Sequence, residues 1–86
     1  MTIDERRRRI DELDAIVLER LSQRAAHVIE IARLKQASGA AVHQPDREQQ
    51  VLERIVRANP GPMPDDMVER LFRVIIDESK RLQRGE

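Results

Sequence analysis

The chain has 86 residues, of which 37% are charged, and its sixteen basic and sixteen acidic side chains cancel to no net charge. That length makes one domain with a modest core, and the balanced charge gives no general field to draw it onto nucleic acid or an anionic membrane. Without cysteine there is no disulfide, thiolate chemistry or cysteine zinc site; one aromatic, Phe72, makes no stacking platform for bases; and with neither a signal-peptide core nor an apolar run of ~20 residues, a cytoplasmic location is expected.

Thr2 and Glu5 have the spacing of a capping box, in which a hydroxyl and a carboxylate satisfy the free amides of a helix start. From Ile3 to about Ala37 neither proline nor glycine intervenes, and Ser38-Gly39 supplies the stop. At a rise of ~1.5 Å per residue this predicts a helix roughly 50 Å long, against about 30 Å for a compact globule of this chain length. The helix must protrude or run along another molecule. Its heptad stripe reads Ile3, Arg7, Ile10, Asp14, Val17, Leu21, Arg24, Val28, Ile31 and Lys35, an apolar seam interrupted by four charges. A second apolar strip, Leu18, Ala25, Ile29 and Ala32, indicates burial against both its own chain and a second copy. The run Arg6 to Arg9 reads as solvated or locally paired surface rather than a nucleic-acid patch, because acids flank it and aromatics are lacking.

After a short link over residues 39–44, Pro45-Asp46-Arg47-Glu48 opens a second helix, whose face Val51, Leu52, Ile55 and Val56 runs to about Ala58. Asn59-Pro60-Gly61-Pro62-Met63-Pro64 breaks it. A third helix follows from Asp65 or Asp66 to about Arg84, with Val68, Leu71, Phe72, Ile75, Ile76 and Leu82 as its expected buried stripe and Ser79 and Gln83 continuing the same face. No strand-like alternation appears. The predicted architecture is all-α, long helix, short helix, medium helix, over a single domain of residues 1–86, and two chains would make a six-helix dimer.

The polar residues at apolar places are Arg7, Arg24, Lys35, Ser79 and Gln83, to which Arg47 and Glu48 add themselves at the start of the second helix. Such a set suits an inter-helix pocket for a small dianion, since guanidinium groups grip carboxylates in a bidentate manner. Arg7 and Arg24 lie about 25 Å apart along one helix, so if both serve one site Arg7 comes from a partner chain. Arg24 and Lys35, about 16 Å apart, can lean toward a ligand between them. An antiparallel pairing of the first helices then builds two equivalent sites. No nucleophile-base pair, phosphate loop or metal-ligand cluster stands out, so the chemistry expected is binding and electrostatics rather than covalent catalysis, such as an intramolecular rearrangement with charge developing on an oxygen. Asp14 is read as a structural partner of neighbouring arginines, and His27 and His43 as surface or supporting residues. Taken singly, Arg24 and Lys35 are equally well read as charges that set dimer register.

Taken together, Arg7 with Ile10, Leu13 and Asp14, then Arg24 and Lys35 eleven residues apart, Asp46-Arg47-Glu48, and the segment from Leu71-Phe72 through Ile75-Ile76 to Ser79 and Gln83 resemble the all-helical AroQ-type chorismate mutases over nearly the whole chain. The resemblance implies an intertwined homodimer that converts chorismate to prephenate by a Claisen rearrangement, without a cofactor, in the biosynthesis of phenylalanine and tyrosine. It implies that the partner's Arg7, together with Arg24 and Arg47, holds the two carboxylates, with Ser79 near the ring carboxylate. Lys35 and Gln83 would hydrogen-bond the ether oxygen, and Glu48 would accept from the ring hydroxyl. Gln44 departs from the pattern, which has an acid there; a role for its backbone amide is unaffected, whereas a role for its side chain would alter affinity. The related isochorismate-pyruvate lyases are the enzyme alternative, and Glu48 argues for the mutase. The other alternative is a noncatalytic helical dimer that regulates a partner enzyme. Mutase domains associate with or fuse to other shikimate-pathway enzymes, which makes such an enzyme the expected protein partner.

Overall fold

A computed structural model of the protein describes residues 1–39 and 44–86. It contains three helices, α1 (Ile3–Ser38), α2 (Pro45–Ala58) and α3 (Asp65–Gln83), and no strand among the described residues. His43, with residues 40–42 of the link between α1 and α2, lies outside the described residues.

The start of α1 is held by the predicted capping box. Thr2 Oγ1 accepts from the Glu5 amide at 3.1 Å, and Glu5 Oε2 accepts from the Thr2 amide at 3.2 Å. Its end is equally determined by sequence. Gly39 takes a left-handed conformation at φ 75°, which lets its amide donate back to the Lys35 carbonyl. The Ser38 hydroxyl donates to the same carbonyl at 3.2 Å. The last turn of the helix is therefore closed by two donors on the Lys35 carbonyl.

Proline at the first position and Asp46 and Glu48 in the first turn start α2. Between α2 and α3, Asn59 stitches the proline-rich turn. Its amide nitrogen donates to the Met63 carbonyl at 2.8 Å and to Asp65 Oδ1 at 2.9 Å, and its amide oxygen accepts from the Gly61 amide at 3.0 Å.

Helix α3 is the hub, packing on α2 and on α1, while α1 and α2 do not pack on each other among the described residues. Val51 and Leu52 of α2 and Ile76 of α3 form the buried cluster, with Ile55 and Phe72 half-buried against it. Val68 of α3 and Val28 of α1 complete the buried set. This core is smaller than the apolar pattern predicts. Leu71 and Leu82 of the expected α3 stripe are exposed, and of the α1 stripe only Val28 is buried in its own chain. The physical reason is reach: α1 spans roughly 54 Å at the helical rise, the long dimension of a 54 × 23 × 17 Å molecule, and the shorter α3, which packs on it, covers only its second half.

Residues 3–23 are exposed throughout, including Ile10, Leu13, Ile16, Val17 and Leu18. Asp14 is among them, and no ion pair of the described residues reaches it, contrary to the expected structural pairing. In the arginine run, Arg9 pairs with Glu12 at 2.7 Å and Arg7 lies 4.0 Å from Asp4, which fits local surface pairing. Among the described residues no helix is long and apolar enough to cross a membrane.

Candidate active site

Where α3 bridges its two neighbours, a cavity of about 340 Å³ opens between the second half of α1, the start of α2 and the last turns of α3. Its size is within the range of small-molecule sites. Three helices bring distant sequence positions together here: Arg24 and Lys35 from α1, Gln44, Arg47 and Glu48 at the start of α2, and Ser79 and Gln83 from α3. Val28, Ile31, Val51 and Ile76 supply apolar wall between them. Of the side chains singled out by the sequence, only Arg7 is absent from this cavity. Its side chain is 74% exposed on the uncovered half of α1.

Electrostatics give the cavity its character. Arg24 donates from Nη1 to Ser79 Oγ at 2.6 Å, and that hydroxyl donates onward to the Ile75 carbonyl at 2.6 Å. The guanidinium is thus aimed by a neutral partner rather than cancelled by a carboxylate. Burial first, and then repulsion from Arg47, pull the Arg24 pKa below the ordinary arginine value. Two guanidinium groups that repel each other in a half-closed space are stabilised by an anion placed between them.

On the opposite side, Glu48 Oε1 receives Lys80 Nζ at 2.8 Å. The Lys80 ammonium is held above its ordinary pKa, chiefly by this hydrogen bond to Glu48. Lys80 was not among the sequence candidates. Its spacing is a weak signal: it stands four residues after Ile76 and three before Gln83, at the edge of the stripe that carries the other α3 site residues. His27 likewise lines the cavity while remaining exposed, a supporting place at its edge.

The arrangement can grip a small polyanion through Arg24 and Arg47, offer further donors from Lys35 and Gln83, and accept a hydrogen bond at Glu48. Such a site acts by holding one conformer and by stabilising charge that develops during reaction.

Comparison with known proteins shows the family of the chain. Residues 6–84 match the family described as chorismate mutase type II. The chain is 44% identical over 87 residues to a bifunctional chorismate mutase/prephenate dehydratase of Neisseria gonorrhoeae, covering 96% of this chain and 24% of that protein. It is 27% identical over 79 residues to a chorismate mutase of Methanocaldococcus jannaschii, covering 91% of this chain and 80% of that one. Among solved structures, the form II chorismate mutase of Thermus thermophilus superposes with a TM-score of 0.93 at 34% identity, over 95% of this chain and 93% of that chain. The chain spans about a quarter of the length of the bifunctional relatives it matches.

Proposed function

The chain belongs to the chorismate mutase type II family, and from that premise we propose that it rearranges chorismate to prephenate in the cytoplasm, as a homodimer with two shared sites. One observation carries the reading: Arg24, Lys35, Arg47, Glu48, Ser79 and Gln83 meet in a single cavity whose guanidinium groups repel each other. A compact dicarboxylate relieves that repulsion. Arg24 and Arg47 hold its carboxylates, with Ser79 keeping Arg24 aimed and lying near the ring carboxylate. Lys35 and Gln83 donate to the ether oxygen, where negative charge grows as the C–O bond breaks and the new C–C bond forms. Glu48 accepts from the ring hydroxyl, and Gln44 contributes through its backbone.

The uncovered half of α1 supports the dimer. Ile10, Leu13, Val17 and Leu18 stay exposed along a helix that relies on packing for its stability. A second α1 laid antiparallel covers them and carries the partner's Arg7 to this cavity. Bifunctional relatives join a mutase to a prephenate dehydratase, and a prephenate dehydratase is accordingly the protein partner this reading favours.

The test is the disappearance of chorismate, followed optically with purified dimer, with the product identified. Prephenate formation that is lost in Arg24→Ala is the expected outcome. Intact chorismate alongside turnover of isochorismate would replace the mutase with the lyase reading, and a folded dimer inert toward both would favour a regulatory role. The pH dependence is a second check. Gln83 is a neutral amide and donates without needing a proton from solvent. Between about pH 6 and about pH 8.5, kcat/KM is expected to change by less than about threefold; a sharp loss above neutrality would contradict Gln83 as donor.

A further inference from the structure

Ser79 and Lys80 are neighbours in sequence, yet each clasps a different wall of the cavity. Ser79 Oγ meets Arg24 of α1 at 2.6 Å, while Lys80 Nζ meets Glu48 of α2 at 2.8 Å. Successive residues of a helix point about 100° apart, so one turn of α3 faces both helices that do not pack on each other.

The Lys80–Glu48 pair is unlike the molecule's surface pairs. Arg9–Glu12, Arg33–Glu30, Arg70–Asp66 and Arg73–Glu69 each link residues three or four apart on one helix, with side chains 40–73% exposed. Lys80 and Glu48 join two helices across thirty-two positions of sequence, and their side chains are only 24% and 23% exposed. Asp77, a competing partner on the same helix, is farther from Lys80 at 3.6 Å and is 71% exposed. The ammonium therefore leans across to α2 and Glu48, and both side chains line the cavity.

Resting on the mutase reading, the geometry points to Lys80 as a positioning residue that acts through Glu48. By engaging Oε1 it fixes the rotamer of Glu48 and so presents the carboxylate to the substrate's ring hydroxyl. It also offsets a carboxylate charge that would otherwise repel a dianion in the same partly closed space. An exposed pair would be worth little in this role, whereas one largely withdrawn from water retains its orientation and field.

The ring hydroxyl is not at the breaking bond, so its contact with Glu48 is made equally in the bound substrate and in the transition state. Loss of Lys80 should then weaken binding rather than the chemical step. In Lys80→Met, KM for chorismate is expected to rise about tenfold with kcat within about threefold of wild type. Lys80→Arg, which retains the cation, should recover most of the KM. In a Glu48→Gln background, adding Lys80→Met should change KM by less than about twofold, because the group it positions is gone. Circular dichroism and Tm establish that each dimer is folded; if Lys80→Met is not, Lys80→Gln is read in its place. An unchanged KM in the single variant overturns the proposal. So does a full tenfold rise that persists in the Glu48→Gln background, since Lys80 would then act independently of Glu48. If wild-type dimer does not turn over chorismate, the mutase reading fails first and this inference with it, an outcome distinguishable because it precedes any substitution.

Discussion

Lys35→Ala is expected to lower kcat by about 10²–10³-fold while moving KM by much less, the signature of a donor whose bond strengthens as charge develops. The ammonium hangs from the last turn of α1, and that turn is defined by the backbone. Gly39 donates to the Lys35 carbonyl from a left-handed conformation, and the Ser38 hydroxyl donates to the same atom. Lys35 is half-buried and lines the cavity from that turn. In bound chorismate the ether oxygen is a weak acceptor, so deleting one cationic donor costs little. In the transition state that oxygen carries growing negative charge in a space where water is scarce, and the same deletion costs far more. Gln83→Ala should follow the same kinetic pattern with a smaller drop, because a neutral amide donor is weaker than a cation. Steady-state kinetics on the two variants decide the matter: losses confined to KM would assign Lys35 and Gln83 to ordinary substrate binding.

The sequence discloses such sites through contradiction. Arg24, Lys35, Ser79 and Gln83 could be found because each breaks an apolar stripe, and the cavity indeed gathers them. Arg47 and Glu48 could be found because proline and the first-turn acids locate the start of α2. Lys80 breaks no rule that strongly: beside Ser79 it reads as the edge of the stripe, and only the approach of α2 shows which way it leans. Helix boundaries were legible because they rest on local chemistry, the Thr2–Glu5 box, Gly39 and the Asn59 turn. Burial was less so. The stripes containing Ile10, Val17, Leu71 and Leu82 record which residues avoid water, and they do not record which molecule shields them. Periodicity treats a contact within the chain and a contact between chains alike.

Arg7→Ala and Arg24→Ala chains, each expected to be down by about 10²-fold or more as homodimers, should recover about a quarter of wild-type activity when mixed in equal amounts and refolded together. On the proposed reading, the loss in each follows from removing a guanidinium that grips a substrate carboxylate in the half-closed cavity. The recovery follows from geometry. Arg7 and Arg24 are some 25 Å apart on one straight helix, and Arg7 stays on the exposed half, 4.0 Å from Asp4, while Arg24 reaches Ser79 at the cavity. If an antiparallel partner places its Arg7 opposite Arg24, positions pair when their numbers sum to 31. That register sets Ile10 against Leu21, Leu13 against Leu18 and Asp14 against Val17, with the two-fold axis between Ala15 and Ile16. The small Ala15 allows close approach at the crossing, and apolar residues that are exposed in the single chain meet one another. Asp14 lies near this crossing, where a charge helps to fix register rather than add stability. In a mixed dimer one cavity has intact Arg24 with intact Arg7 from its partner, and the other has neither. Random pairing makes about half of the dimers mixed, each with one whole site of two, so about a quarter of all sites are complete. Native mass spectrometry counts the mixed dimers while the chorismate assay reads their activity. Mixed dimers present at half the population without any recovery would show that Arg7 does not act across the interface, and the two-site dimer would have to be abandoned.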